Sequence, residues 1–163
     1  MLIYPLGCSH QLLILTERVL DHVQRHRQVR KTQREAGGQL FARFDGDRII
    51  VEEATGPRRS DRRSRLTYAP DRSTEQAEIL ERFQRGLHYI GDWHTHPERL
   101  PTPSEVDTKS MAECVVQSTH TLHAFVLMVV GTAAPPAGLH VSLHDGTYMI
   151  VLQSMLNDVQ GVS

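Results

Sequence analysis

Cysteine is scarce in this chain of 163 residues, which contains only Cys8 and Cys114. The two lie far apart in sequence and no Cys-x-x-Cys pair is present, which fits a reducing cytosol and argues against a disulfide-stabilised secreted domain. Nothing in the sequence marks a histidine partner for Cys114, so we do not expect it to act as a nucleophile.

Long apolar runs and a strong charge of one sign are also missing. No stretch approaches the roughly 20 apolar residues needed to span a bilayer, and the opening MLIYP does not resemble a signal peptide. The net charge of −1 gives no general attraction to nucleic acid or to an anionic membrane. We therefore expect a cytoplasmic protein, with a single domain over 1–163 that is large enough to bury a core.

Two histidines separated by one residue are the strongest functional signal. His94 and His96 lie in the segment DWHTHPERLPTPSEVD (92–107), and on an extended strand both side chains point to the same face. With Asp107 they make three ligands for zinc, which in catalytic sites keeps its fourth position for water. Because His-x-His pairs also occur on surface strands without an ion, the surrounding residues decide the interpretation. The segment predicts a metal hydrolase.

An acidic residue suited to proton transfer lies upstream, directly before an apolar stretch with two glycines. Glu35, in QREAGGQLF (33–41), could act as a general base and then as an acid toward a leaving amine. The glycine pair permits close backbone packing behind it. Taken alone, Glu35 would be an ordinary glutamate at a helix end, and only its combination with the histidines makes it a candidate.

In combination, these residues resemble the JAMM (MPN-plus) metalloprotease family. Its pattern is a glutamate, then His-x-His, seven residues, a serine, two residues and an aspartate, and it is matched by Glu35, His94, His96, Ser104 and Asp107. The resemblance runs from about residue 12 to residue 152. The stretches YIGDWHTHP (89–97) and PTPS (101–104) are similar to small stand-alone bacterial members of anti-phage (CBASS-type) islands, which accompany ubiquitin-like conjugation enzymes and a cyclic-oligonucleotide synthase.

The resemblance implies an MPN fold and a division of labour among the matched residues. His94, His96 and Asp107 would hold Zn²⁺, Glu35 would be the general acid–base, and Ser104 would donate to the developing oxyanion. Helix capping alone would also explain Ser104, and the family pattern favours the catalytic role. The implied partner is a protein substrate with an extended C-terminal tail, either a ubiquitin-like protein or a conjugated cyclic-nucleotide synthase, which the enzyme would release from its conjugate.

Three alternatives remain open at this point. The substrate could instead be a sulfur-carrier protein trimmed at its C-terminus, or the chain could be a non-catalytic MPN binding module. Five arginines between positions 58 and 65 could bind nucleic acid, but the segment lacks interleaved aromatic residues. An exposed loop that contacts an acidic or peptide partner is the favoured interpretation, since arginine binds carboxylates well.

Hydrophobic periodicity predicts an α/β fold in which a curved mixed sheet is packed by helices at 11–32, 74–85 and 105–118. Strands are predicted at 38–44, 48–55, 88–95, 122–131, 139–143 and 147–152. His22 and His26 are expected on the solvated face of the first helix. The second helix should be capped by Ser73 or Thr74 and run to about Arg85, with Gly86 ending it. Its glutamates are expected outside and its apolar residues inside, namely Glu75, Glu78 and Glu81 against Ile79, Leu80 and Phe83. Trp93 is predicted to lie in the core.

Overall fold

The computed structural model describes residues 1–7 and 9–155, so Cys8 lies outside the described residues. In chain order the elements are β1 (Leu2–Pro5), β2 (Leu12–Leu15), α1 (Glu17–Gln24), β3 (Gly37–Asp45), β4 (Arg48–Ala54), β5 (Arg62–Arg63), β6 (Tyr68–Ala69), α2 (Arg72–Gln84), β7 (His88–Thr95), α3 (Glu105–Gln117), β8 (Phe125–Val130), β9 (Leu139–His144) and β10 (Met149–Val151). Eight strands form one sheet in the order β1-β2-β4-β3-β7-β8-β9-β10, and β5 and β6 form a separate hairpin. The predicted α/β fold with a curved mixed sheet is confirmed.

The sheet combines antiparallel hairpins with two parallel pairs. β2 runs parallel to β4 and β7 runs parallel to β8, whereas β3 is antiparallel to both of its neighbours, β4 and β7. Every residue of β8 is buried, as its continuous apolar sequence predicts. Helix α3 covers one face of β8 through Met111 and Val115. The sheet therefore holds β7, the strand with the histidine pair, between β3 and the most buried strand of the protein.

The prediction of one helix over 11–32 is wrong. Leu12–Leu15 form strand β2, and α1 covers only Glu17–Gln24, capped by Thr16, whose side chain accepts from the backbone N–H of Val19. A short apolar run fits a buried strand as well as a helix, so periodicity could not separate the two elements. The predicted solvated position of His22 and His26 is also wrong, because both rings pack against Trp93 at centroid distances of 5.6 and 5.9 Å.

Helix α2 presents its faces in the opposite sense to the prediction. Glu75 is buried with 4% exposure, whereas Leu80 and Phe83 are 58% and 62% exposed. The helix is capped by Asp71 rather than by Ser73 or Thr74, and Gly86, with φ of 74°, follows its C-cap. The reversal occurs because the inner face of this helix packs against arginine side chains rather than apolar ones.

Arg58 is the main cause of that reversal, and the prediction that 58–65 is an exposed loop is wrong for this residue. Its side chain is 8% exposed and its Nε donates to Oε1 of Glu78 over 2.8 Å. It also lies 3.6 Å from Glu75. Together with Arg63 of β5, whose Nε donates to the backbone carbonyl of Glu35, it connects the segment to the body of the protein. Among the described residues, no helix is both long and apolar enough to cross a membrane.

Candidate metal centre and active site

Strands β3 and β7 place the acidic residue beside the histidine pair. His94 lies opposite Gly37 in the antiparallel register, so Glu35, two residues before Gly37, reaches the end of β7 that carries the histidines. His96 follows β7, and its N–H donates to the carbonyl of Val130 over 2.9 Å. A Cβ at Gly37 would meet the carbonyl oxygen of Trp93 at 2.8 Å. The predicted close packing behind the acid is thus present.

The three predicted metal ligands lie together. His94 Nε2 and His96 Nε2 are 3.2 Å apart, and each lies 3.3 Å from a different carboxylate oxygen of Asp107. Zinc bonds of about 2.0–2.1 Å in a tetrahedral arrangement separate neighbouring ligand atoms by about 3.3 to 3.4 Å. The donor set and its spacing therefore fit zinc.

The Asp107 carboxylate is oriented by the start of α3. Ser104 forms a capping box in which its Oγ accepts from the Asp107 N–H, and its N–H donates to Oδ2 of Asp107 over 2.7 Å. The Ser104 hydroxyl also donates to Oδ2 of Asp107 over 2.8 Å. Burial alone would raise the pKa of Asp107, but its contacts with His94 and His96 hold that pKa well below the usual range. Asp107 is therefore a fixed, ionised carboxylate.

Glu35 occupies the other side of the histidine pair. It is buried, and one of its carboxylate oxygens lies within 4.8 Å of a ring nitrogen of both His94 and His96. Burial raises the pKa of Glu35, and the neighbouring histidines oppose that rise only in part. The pKa of Glu35 is thus shifted in the opposite direction to that of Asp107, so the two carboxyl groups of the site differ in their tendency to hold a proton.

Several contributors to the site carry no signal in the sequence. The Ala36 N–H donates to the Thr95 hydroxyl over 2.9 Å, and this hydroxyl donates to Gln28 Oε1 over 3.0 Å. The amide of Gln28 in turn donates to the carbonyl of Arg65 over 2.8 Å. Sequence reasoning missed Gln28 because it lies far from the motif in the chain. Thr95 could have been noticed, since it stands between the two histidines.

A cleft of about 140 Å³ opens from the site between α2 and α3. Glu35, His94 and Asp107 line one part of it, while Glu75 and Asp92 line another part. On the outer side, His96 Nδ1 lies 3.3 Å from a carboxylate oxygen of Glu98, a contact of the kind that fixes the orientation of ligating histidines. The cleft leaves these residues open to a substrate, an arrangement of the kind that the class of metal-dependent hydrolases uses.

Comparisons with known proteins agree with this class. The model of the family Prok-JAB, prokaryotic homologs of the JAB domain, matches residues 16–142. A protein of Escherichia coli (strain TW11681) named CD-NTase/cGAS isopeptidase is 28% identical over 126 residues, which cover 76% of this chain and 78% of the relative. A Pseudomonas aeruginosa (strain BWHPSA011 / Pa011) protein of the same name is 33% identical over 102 residues, covering 61% of this chain and 65% of the relative.

A solved structure supports the fold. The solution structure of protein DSY2949 from Desulfitobacterium hafniense superimposes with a TM-score of 0.62 at 20% identity, over 85% of this chain and 88% of that chain. The chain therefore belongs to the family of prokaryotic homologs of the JAB domain. This membership confirms the resemblance on which the sequence-based expectations rested.

Proposed function

We propose that this chain is a zinc-dependent isopeptidase that cleaves the bond after the C-terminal tail of a conjugated protein. The observation that carries the proposal is the joint placement of His94, His96 and Asp107 at mutual distances of 3.2 to 3.3 Å, with the buried Glu35 beside them. Three ligands of this kind hold zinc and leave one position open, as catalytic zinc sites do.

The proposed mechanism assigns each residue a separate task. Zinc held by His94, His96 and Asp107 would polarise the scissile carbonyl and lower the pKa of a water molecule to about 7. Glu35 accepts a proton from the attacking water and later gives it to the leaving amine. The raised pKa of Glu35 supports this role, because a general base is most effective when its pKa lies near the working pH.

Ser104 is proposed to stabilise the negative charge that develops on the scissile carbonyl oxygen. Its hydroxyl donates to Asp107 in the structure and would turn toward the substrate oxygen during the reaction. The position of Ser104 at the edge of the proposed metal site supports this role. One such donor is typically worth about 10² to 10³ in kcat. Helix capping by the same side chain is compatible with it, because the cap uses the oxygen as an acceptor from Asp107.

The substrate proposal rests on the relatives. Two of them are named CD-NTase/cGAS isopeptidase, which supports a protein substrate conjugated through the tail of a cyclic-nucleotide synthase, and hence a cytoplasmic, anti-phage role for this chain. An extended tail binds most readily by backbone pairing to a strand, with side-chain pockets providing selection. The leaving group is then either a main-chain amine or the amine of a lysine.

The experiment uses fusions in which candidate tails from the genes neighbouring this one precede a reporter protein. We expect the zinc-loaded chain to cleave just after the last native residue of a cyclic-nucleotide synthase tail, and to release the same tail from a lysine side chain, as measured by mass spectrometry. Glu35→Gln protein is the matched inactive control. Cleavage of a sulfur-carrier tail alone would replace the proposed substrate, and intact fusions for every tail would contradict the isopeptidase assignment.

A further inference from the structure

Two cation-rich segments that are distant in sequence meet beside the active site. Segment 25–34 contains no acidic residue, and the acid in segment 59–65, Asp61, has a fully buried side chain 3.8 Å from Arg58. Gln28 Nε2 donates to the Arg65 carbonyl and joins the two segments, and the N–H of Glu35, the residue that follows the first segment, donates to the Ser64 carbonyl. The exposed cations are Arg25, Arg30, Lys31, Arg34, Arg59, Arg62 and Arg65. In a chain with a net charge of −1, this surface is a concentrated positive patch.

A groove in this patch extends to Pro97, next to the histidine pair in the chain. It has a volume of about 390 Å³ and is lined by Arg30, Lys31 and Arg65 on its charged sides. Pro97, which directly follows His96, also lines it. A segment of chain lying in the groove would therefore pass close to the metal ligands, and its acidic side chains would face three cations.

Hydrogen bonds connect the lining of the groove to residues next to the proposed catalytic residues. Gln28 lines it, is buried, and accepts from the hydroxyl of Thr95, the residue between the two histidines. Thr95 in turn accepts from the N–H of Ala36, which follows Glu35. This continuity, together with the position of Pro97 beside His96, favours the protein substrate as the occupant of the groove.

We propose that the surface formed by residues 25–34 and 59–65 binds an acidic segment of the protein substrate and presents its tail to the metal site. The inference rests on the proposed function for the identity of its occupant. Arginine and lysine side chains recognise carboxylates directly. Nucleic acid is disfavoured because neither segment contains Phe, Tyr or Trp for base stacking and because the whole chain is not basic.

The test compares two triple variants that remove equal charge. Arg30→Gln/Lys31→Gln/Arg65→Gln neutralises the groove, whereas Arg18→Gln/Arg43→Gln/Arg48→Gln neutralises three exposed arginines elsewhere. The probe is a fluorescein-labelled peptide of ten glutamates, with a Gly-Ser peptide and a single-stranded 20-mer of DNA for comparison. By fluorescence anisotropy, we expect the Kd for the acidic peptide to rise about tenfold in the groove variant only, and to rise with salt in the wild type.

The outcomes separate this inference from the proposed function. Equal affinity of both triple variants for the acidic peptide would overturn the inference, as would tighter binding of the DNA than of the peptide. A short uncharged tail peptide should be cleaved at the same rate by the wild type and by the groove variant. If the wild type cleaves no tail while groove-dependent peptide binding persists, the isopeptidase assignment fails and the acidic-partner surface stands.

Discussion

Arg63 and Glu35 are joined by a hydrogen bond in which Nε of Arg63 donates to the backbone carbonyl oxygen of Glu35 over 2.9 Å. The N–H of Glu35 donates to the carbonyl of Ser64 over 2.7 Å. The β5–β6 hairpin therefore holds the main chain of the proposed general base on both sides. A segment that was predicted to be an exposed loop contacting an acidic or peptide partner thus also contacts the main chain of Glu35.

Arg63→Ala should consequently impair positioning without emptying the metal site. We expect kcat to fall at least about tenfold while zinc content is unchanged, because misplacement of a catalytic group by about 1 Å can cost up to about 10² in rate. Arg62→Ala, an exposed arginine in the same hairpin, is the control and should retain kcat. Zinc analysis and steady-state kinetics on both proteins test this, and equal kcat values for the two variants would contradict a positioning role.

Each proposed metal ligand should be required for zinc binding. His94→Ala, His96→Ala and Asp107→Ala each leave two protein ligands, which is too few for a stable site. We expect well under one zinc per chain in each purified variant by metal analysis. His123→Ala changes an exposed histidine and should retain a full complement. A stoichiometry near one in any ligand variant would remove that residue from the set.

Glu35→Gln should separate chemistry from metal binding. The amide keeps the size of the side chain but cannot accept a proton, so hydrolysis should fall by about 10² to 10⁴ while zinc and fold are retained. Circular dichroism, metal analysis and cleavage rates on one preparation check this. Glu105→Gln, at an exposed position at the start of α3, is the matched control. Wild-type turnover by the Glu35 variant would require another base.

The core of the site could be predicted from sequence because its geometry is mostly local. His94 and His96 share a face through the alternation of one strand, and Ser104 caps the helix that carries Asp107 through hydrogen bonds between two residues only three apart in the chain. The position of Glu35 beside the histidines depends on the pairing between β3 and β7. Periodicity did not predict that pairing, and Glu35 became a candidate only through the family pattern.

The remainder depended on contacts between distant segments. Gln28 and Arg63 support the site through partners 28 to 67 residues away in the chain. Helix α2 was predicted with the wrong face inside because its glutamate Glu75 is buried among arginines, against the usual preference for apolar residues. The helix predicted over 11–32 included strand β2, because four consecutive apolar residues fit a buried strand as well as a helix.

Ser104→Ala tests whether the serine does more than cap α3. If the hydroxyl donates to the oxyanion, kcat should fall by roughly 10² with zinc retained. Loss of the cap alone should lower the free energy of unfolding by about 1 kcal/mol and leave catalysis intact. Urea unfolding and kinetics on the same sample separate the two. Ser104→Thr keeps a hydroxyl at the cap and should restore both properties, and full activity of the alanine variant would remove the catalytic role.

Glu75 should make the stability of the protein depend on pH. Burial and then Asp92 raise the pKa of Glu75 to about 7, although Arg72 and Arg58 oppose the rise. From the ordinary value of 4.5 up to about 7, the folded chain retains a proton that the unfolded chain has lost. By linkage, the free energy of unfolding contributed by this group falls as pH rises through that window, and the loss is complete above the folded pKa.

Glu75→Gln removes this titration and should therefore gain stability over the wild type as pH increases. We expect the difference in unfolding free energy, variant minus wild type, to grow by up to about 3 kcal/mol between pH 5 and pH 8, measured by urea unfolding. Taking the difference cancels the contributions of all groups that the two proteins share. Glu81→Gln removes a carboxyl group with a 54% exposed side chain on the same helix and is the matched control for burial. A difference that shrinks with pH would mean that the ion pairs with Arg58 and Arg72 outweigh the cost of burial, since only then would the ionised carboxylate stabilise the fold.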